Sequence, residues 1–274
     1  MTLVAVHQMR SRIDPFVNLE CMISGIEQAS IEGATSYFAP EMSLLLDRDR
    51  NRAAVHMSYE ADNKWMPILQ KTAARYGIWS HIGSIPVLHD DASGRLANRT
   101  YIIDPLGRIA ARYDKMHLFD VDLATGESWR ESNVYRGGDA PMLADFGPIG
   151  IMGLSICYDI RFPDLYSYYA RRNAHILAVP AAFTVPTGEA HWHVLLRARA
   201  IESEAFVIAA AQCGLHEDGR RTYGHSLVVD PWGEVLLDMG DEEGVGFAEL
   251  DIGRLAEVRS QIPVHANRQT IETG

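Results

Sequence analysis

The sequence predicts an α/β protein built from two similar halves, whose sheets would pack face to face between outer helix layers. Three observations carry this. One order of elements (strand, helix, strand, helix, strand, hairpin) occurs twice along the chain. Each half closes on a near-copy of one hairpin, Ile102-Ile103-Asp104-Pro105-Leu106-Gly107 in the first and Val228-Val229-Asp230-Pro231-Trp232-Gly233 in the second. The apolar run Ile149-Gly150-Ile151-Met152-Gly153-Leu154-Ser155-Ile156 stops at Cys157, where the polar run Tyr158-Asp159-Ile160-Arg161 begins. That is the pattern of a buried strand delivering a side chain to a sheet edge. No Ser/Pro/Gly-rich linker divides the halves, so residues 1–274 read as one domain.

In the first half, residues 3–8 read as a strand. Asp14-Pro15 is an N-cap and N1 pair that opens a helix. Phe16, Leu19, Ile23, Ile26 and Ala29 then recur at helical spacing until Gly33 ends the run. A strand at 36–39 leads into Pro40-Glu41. A second helix covers 63–75, with Trp65, Ile68, Leu69 and Ala73 on one face and Gly77 as its stop. A strand at 78–85 and a hairpin at 101–110 complete the half. The second half predicts a strand at 149–156, a helix at 163–172, and a strand at 175–179 that leads into Pro180-Ala181. A helix at 190–202, a strand at 205–211 and a hairpin at 227–236 follow. In both hairpins Pro presets the second turn position and Gly accepts the last. Residues 119–138 form the longest stretch without periodicity, and loops of that length are often functional.

Composition narrows the class. The chain is 47% hydrophobic, enough for a large core, and its net charge of −11 opposes the basic face of a nucleic-acid binder. No apolar run approaches the ~20 residues of a membrane span, and the amino terminus reads as a strand rather than a targeting segment. Cys21, Cys157 and Cys213 are too few and too irregularly spaced for a disulfide framework or a metal pair, which points to a reducing cytoplasm. Asn98-Arg99-Thr100 matches a glycosylation sequon, an accident in such a compartment. His191-Trp192-His193 invites a metal, but residues two apart do not share a helix face and no carboxylate stands beside them at metal spacing. His191 and Trp192 read instead as the cap of a helix start and part of a pocket wall. No Walker or dinucleotide glycine fingerprint occurs, so neither a metal nor a cofactor is expected. Cys21 and Cys213 lie in apolar stretches and read as core; Cys213 could still approach a site from its strand end.

Four residues stand out chemically. Glu41 follows Tyr37-Phe38-Ala39-Pro40, a carboxylate just past a buried strand end, where desolvation would raise its pKa toward general-base duty. Lys115 follows the first hairpin, and Glu131 lies in the long loop. Cys157 is the fourth: a thiol ahead of a helix, where backbone N–H groups and the helix dipole favour negative charge. Taken singly, Glu41, Lys115 and Glu131 read as surface charges and Cys157 as core packing. Together, three of the four follow strands or hairpin arms in the same topological sense.

Three segments resemble the signatures of the nitrilase (carbon–nitrogen hydrolase) superfamily: Phe38-Ala39-Pro40-Glu41, Tyr113-Asp114-Lys115-Met116-His117-Leu118-Phe119, and Gly153-Leu154-Ser155-Ile156-Cys157-Tyr158-Asp159-Ile160-Arg161-Phe162-Pro163. The likeness runs over essentially the whole chain. It implies a four-layer α-β-β-α sandwich built from two similar halves. It also implies that Cys157 attacks an amide carbonyl, that Glu41 is the base, and that Lys115 stabilises the oxyanion with the backbone N–H of Tyr158. Glu131 would orient the lysine and the leaving group.

Within the superfamily, Leu118-Phe119-Asp120-Val121, Glu131-Ser132-Asn133, Thr187-Gly188-Glu189-Ala190-His191-Trp192 and Ile262-Pro263-Val264 resemble the branch containing deaminated-glutathione amidase and ω-amidase. Ala209-Ala210-Ala211-Gln212-Cys213-Gly214 and Thr222-Tyr223-Gly224-His225 lean toward the former. The resemblance implies a cytoplasmic amidase that cleaves the terminal carboxamide of a small carboxylate-bearing amide through a cysteine thioester, releasing ammonia. Arg161, Phe183 and Thr187 would hold the carboxylate end. An arginine can grip a carboxylate bidentately, although Arg161 could equally pair with Asp159 or Asp164. Small amides are the expected partners, with no nucleic acid or membrane. A homodimer or higher homo-oligomer is expected as well, although His265-Ala266-Asn267-Arg268 departs from the basic, aromatic tail common at such contacts. The alternatives are ω-amidase, N-carbamoyl or aliphatic amide hydrolysis, and a non-catalytic binding protein that has kept the fold.

Overall fold

Two six-stranded sheets dominate the computed structural model, which describes residues 1–89, 91, 93–122, 126 and 128–269. The first sheet runs in the order β16(Gly244–Leu250), β1(Thr2–Gln8), β2(Ser36–Phe38), β3(Trp79–Leu88), β4(Leu96–Ile103), β5(Ile109–Asp114). The second runs β15(Val235–Asp238), β14(Leu227–Val229), β11(Phe206–Ala209), β10(Ile176–Ala178), β9(Ile151–Leu154), β8(Met142–Asp145). Two short hairpins lie outside them, β6(Asp120–Asp122) with β7(Ser128–Arg130), and β12(Cys213–Leu215) with β13(Arg221–Tyr223).

The repeat read from sequence is present strand for strand. β1, β2 and β3 are parallel neighbours and β4 and β5 return antiparallel; β9, β10 and β11 are parallel and β14 and β15 return antiparallel. Each set gains one antiparallel strand at its open edge, β16 beside β1 and β8 beside β9.

Alternation of side chains sorts the layers. Val4, Val6, Phe38 and Ile102 point from the first sheet into a core shared with Met152, Leu154, Ile208 and Val228 of the second. Their neighbours Ala5, Tyr37, Tyr101 and Ile103 face the opposite way, against the helices α1(Pro15–Ile31) and α3(Met66–Tyr76). On the far side, α4(Pro163–Ala170) and α5(Val185–Ser203) cover the second sheet with Tyr166, Tyr169, Trp192 and Leu196. The order is helix, sheet, sheet, helix, a four-layer sandwich. The short α2(Arg50–Ala54) precedes α3, and α6(Gly253–Gln261) buries Leu255 and Val258.

Several boundaries depart from the sequence reading. Asp14 caps α1 as expected, its side chain accepting from the Phe16 N–H, but Phe16 is 52% exposed and the packing face is Leu19, Met22, Ile26 and Ala29. α3 starts at Met66, so Trp65 is its cap and Ile68 faces outward. α5 starts at Val185 rather than 190, which puts His191 and Trp192 inside the helix instead of at its start. Pro186 sits in the first turn, where a missing N–H costs nothing, and Gly188 leaves space that the Tyr223 ring fills. Cys21 is exposed, not core, while Cys213 is buried. Within the 119–138 stretch, residues 123–125 and 127 lie outside the described residues; the rest forms the β6–β7 hairpin and a 3₁₀ turn, Glu131–Asn133. Among the described residues, no helix is long and apolar enough to cross a membrane.

Candidate active site

Strands from both sheets end at one place. Glu41 lies just beyond β2 and Lys115 directly after β5. Cys157 follows β9 across the sandwich, and Ala182 and Phe183 follow β10. Glu131 arrives on the turn after β7. Glu41, Lys115, Glu131, Cys157, Tyr158, Phe183 and Thr187 all line one cavity of about 560 Å³.

Each position is fixed by its backbone. The Glu41 carbonyl accepts from Gln212 Nε2 at 2.9 Å, so the second sheet holds the first sheet's carboxylate in place. Beneath it, Gly83 has φ +70° and leaves no room for a side chain: a Cβ there would stand 1.8 Å from the Pro40 carbonyl oxygen. Lys115 donates its backbone N–H to the Asn98 carbonyl at 2.9 Å. Cys157 donates its N–H to the Pro180 carbonyl at 2.9 Å and takes φ +49°, a left-handed conformation that L-residues seldom adopt. A 3₁₀ turn, Cys157–Arg161, follows the thiol, and α4 begins at Pro163, the start read from the sequence. The helix-dipole support expected from the sequence is therefore confined to one short turn.

The polar groups interlock. Lys115 Nζ donates to Glu41 Oε1 at 2.9 Å and to Glu131 Oε2 at 2.9 Å. Asn98 Nδ2 donates to Glu41 Oε1 at 2.9 Å, the Ala182 N–H to Glu41 Oε2 at 2.9 Å, and the Phe119 N–H to Glu131 Oε2 at 2.7 Å. The Cys157 thiol lines the same cavity, near enough for the Glu41 charge to act on the sulfur. Lys115 and Glu41 are 2% and 4% exposed, so the low local dielectric leaves these charges strongly coupled.

The electrostatics run opposite to one expectation. Burial does act to raise the Glu41 carboxyl, but the Lys115 ammonium and hydrogen bonds from Cys157, Lys115 and Asn98 outweigh it and hold the group below its ordinary value. The sequence could not show Lys115 in contact with it. Burial likewise works against the Lys115 charge, and the carboxylates of Glu131 and Glu41 overcome it, pushing the ammonium well above its ordinary range. Burial and the adjacent Glu41 charge push the Cys157 thiol well up, so the resting sulfur is protonated.

Asn98 is the residue the sequence reading missed. The sequon interpretation fell on it, yet it is 1% exposed in the middle of β4, with its amide in the carboxylate network. Alternation along β4 could have marked it as inward-facing and polar. Arg161 stands apart: its guanidinium lies 5.4 Å from the Phe183 ring centre and donates to His191 Nδ1 at 3.2 Å, without lining the cavity. It forms no ion pair with Asp159 or Asp164 among the described residues. His193 gains the carboxylate its sequence neighbourhood lacked: Asp238 accepts from His193 Nε2 at 2.9 Å and from His225 Nδ1 at 2.8 Å.

A buried thiol, two carboxylates and an ammonium line one cavity of the double-sheet scaffold, a set of groups able to serve acyl transfer. The family model for carbon–nitrogen hydrolases matches residues 3–260, and the chain belongs to that family, within the nitrilase superfamily. The chain is 39% identical over 262 residues to a deaminated glutathione amidase of Synechocystis sp., covering 95% of this chain and 96% of that protein. The crystal structure of the Caenorhabditis elegans NitFhit protein superposes with a TM-score of 0.89 at 37% identity, covering 98% of this chain and 65% of that one. An amidase from Nesterenkonia sp., solved as a Glu-to-Gln mutant with acrylamide added to its active-site cysteine, gives a TM-score of 0.79 at 25% identity over 96% of this chain and 98% of that one.

Proposed function

We propose that the protein is a thiol-dependent amidase acting on small, linear, carboxylate-bearing amides of the deaminated-glutathione type. One observation carries the reading: Lys115 Nζ is shared between Glu41 and Glu131 at 2.9 Å, and both carboxylates line the same cavity as the Cys157 thiol.

The chemistry follows from that arrangement. A free thiolate would add a negative charge beside two carboxylates served by one ammonium, so the thiol rests protonated. When a carbonyl approaches, Glu41 takes the proton as Sγ bonds to the carbonyl carbon. The developing oxyanion is met by the Lys115 ammonium and the backbone N–H of Tyr158. Glu41 returns the proton to the departing nitrogen as the C–N bond breaks, leaving a thioester. Water then gives a proton to Glu41 and attacks the thioester, the C–S bond breaks, Glu41 returns the proton to the Cys157 sulfur, and the acid leaves. Glu131 holds Lys115 so that its charge is aimed rather than mobile. Phe183 and Thr187 shape the wall against the acyl group, and Arg161 supports Phe183 from behind. The reading includes a cytoplasmic setting, because Cys157 must stay reduced and Cys21 and Cys213 are also free thiols.

The leaving group needs a wider definition than ammonia. Deaminated glutathione, as a tripeptide lacking its amine, has only secondary amides, and its cleavage liberates an amine; an ω-amide would liberate ammonia. Assays must therefore score both. The deciding experiment is intact-mass spectrometry of the unaltered enzyme quenched in acid during turnover of candidate amides. A mass increase equal to the acyl group, mapped to Cys157, is expected. Absence of an adduct from every amide, together with no hydrolysis by the unaltered enzyme, would favour the non-catalytic binding protein.

A further inference from the structure

Arg220, just ahead of β13, brings a second buried cation to the cavity wall. Its guanidinium lies 4.9 Å from the Trp129 ring centre, and its side chain is 18% exposed. Its Nε is fully buried and has no hydrogen-bond partner among the described residues. Its Nη2 comes only within 3.5 Å of Asp218 Oδ2, an oxygen that already accepts the Arg48 N–H at 2.9 Å. The other Asp218 oxygen accepts Arg220's own backbone N–H at 2.9 Å. Arg220 makes no ion pair with Glu41 or Glu131, and Arg48 and Arg50 line the same cavity.

A buried donor left without an acceptor is costly, and a guanidinium presents adjacent N–H groups in a fork that matches a carboxylate. The cavity is also far larger than a reacting carboxamide requires. We infer that Arg220 is the binding site for a carboxylate at the end of the substrate remote from the scissile carbonyl, which selects linear amides that carry a charge at that end. This rests on the amidase reading above and adds the feature that would set its specificity.

The test uses two probes, glutaryl-alanylglycine and glutaryl-alanylglycinamide, which differ only in the terminal carboxylate. Binding to the Cys157→Ala protein is measured by calorimetry. The carboxylate form is expected to bind about 10- to 100-fold more tightly, the range of a charge-assisted bidentate contact. In Cys157→Ala/Arg220→Gln the two probes should bind almost equally, and Arg220→Lys should keep only part of the preference. Equal affinities in Cys157→Ala overturn the inference, as does a folded Arg220→Gln protein with its preference intact. Should Arg220→Gln fail to fold, an undiminished preference in Arg220→Lys overturns it as well. The amidase reading fails separately: a preference for the carboxylate probe with no hydrolysis or Cys157 acylation in the unaltered enzyme would remove the reaction and leave the binding site.

Discussion

The Tyr113 hydroxyl donates to Asp159 Oδ2 at 2.7 Å, across the gap between the two sheets. Asp159 is fully buried, and its other oxygen accepts the His117 backbone N–H at 3.0 Å and His117 Nδ1–H at 2.7 Å. Oδ2 also takes the Ile156 N–H at 2.8 Å. One carboxylate therefore ties the segment on either side of Lys115 to the turn that carries Cys157.

Loosening that tie should disturb geometry before fold. A hydrogen bond to a charged group is worth about 1.5–3 kcal/mol. Tyr113→Phe keeps the ring's packing and leaves Asp159 three partners, so a folded protein with a lower melting temperature is expected. Misplacement of the lysine relative to the sulfur should lower kcat by about tenfold or more, with KM little changed. Thermal melts and steady-state kinetics of the variant check both; an unchanged kcat would make Asp159 purely structural.

In the proposed mechanism Lys115→Ala removes one oxyanion donor, and it takes away the ammonium that Glu41 and Glu131 share. Loss of such a donor costs about 2.7–4 kcal/mol of barrier, so activity should fall by at least several hundredfold. The Glu41 carboxyl should then move up in pKa, because burial would act unopposed by the ammonium. A pH–rate profile of residual activity whose acid limb has moved to higher pH would report it.

The unaltered enzyme should have its acid limb low. Glu41 is held below its ordinary value, so the carboxylate stays ionised at neutral pH, and the base of the proposed mechanism is lost only as pH drops below about 4.5. The Cys157 thiol is pushed up, so no gain in kcat/KM should occur through the ordinary thiol range near pH 8.5. Rates measured from pH 4 to 9 decide. A rise between pH 7.5 and 9 would mean that the attacking species is a preformed thiolate.

Gly83→Ala should damage the site without touching any reacting group. Its Cβ would collide with the Pro40 carbonyl, in a backbone conformation that itself disfavours alanine, and Pro40 carries Glu41. Loss of stability by about 2 kcal/mol or more is expected from strain of this kind, with activity reduced in the folded fraction. Chemical denaturation and active-site titration separate the two effects.

The scaffold, and the residues that meet in the cavity, were legible because local signals agreed with the global pattern. The two Asp-Pro-x-Gly hairpins exposed the repeat, and the abrupt end of the apolar run exposed Cys157. What stayed hidden depended on contacts between distant segments. The direction of the Glu41 shift follows from Lys115, 74 residues away in sequence. Asn98 looked like a surface sequon until strand pairing buried it. The start of α5 was misplaced because Pro186 and Gly188 resemble loop residues, whereas one suits a first turn and the other makes room for Tyr223. Arg220 carried no local signal at all, since only the fold sets it against Trp129.

The pairing of β16 with β1 bears on how the molecule is made. Residues 244–250 flank residues 2–8, so the amino-terminal sheet cannot complete its edge until residues 244–250 have been synthesised. Glu41 and Cys157 share a cavity only when both sheets have closed, so a partly made chain carries the thiol before the enclosure around it exists.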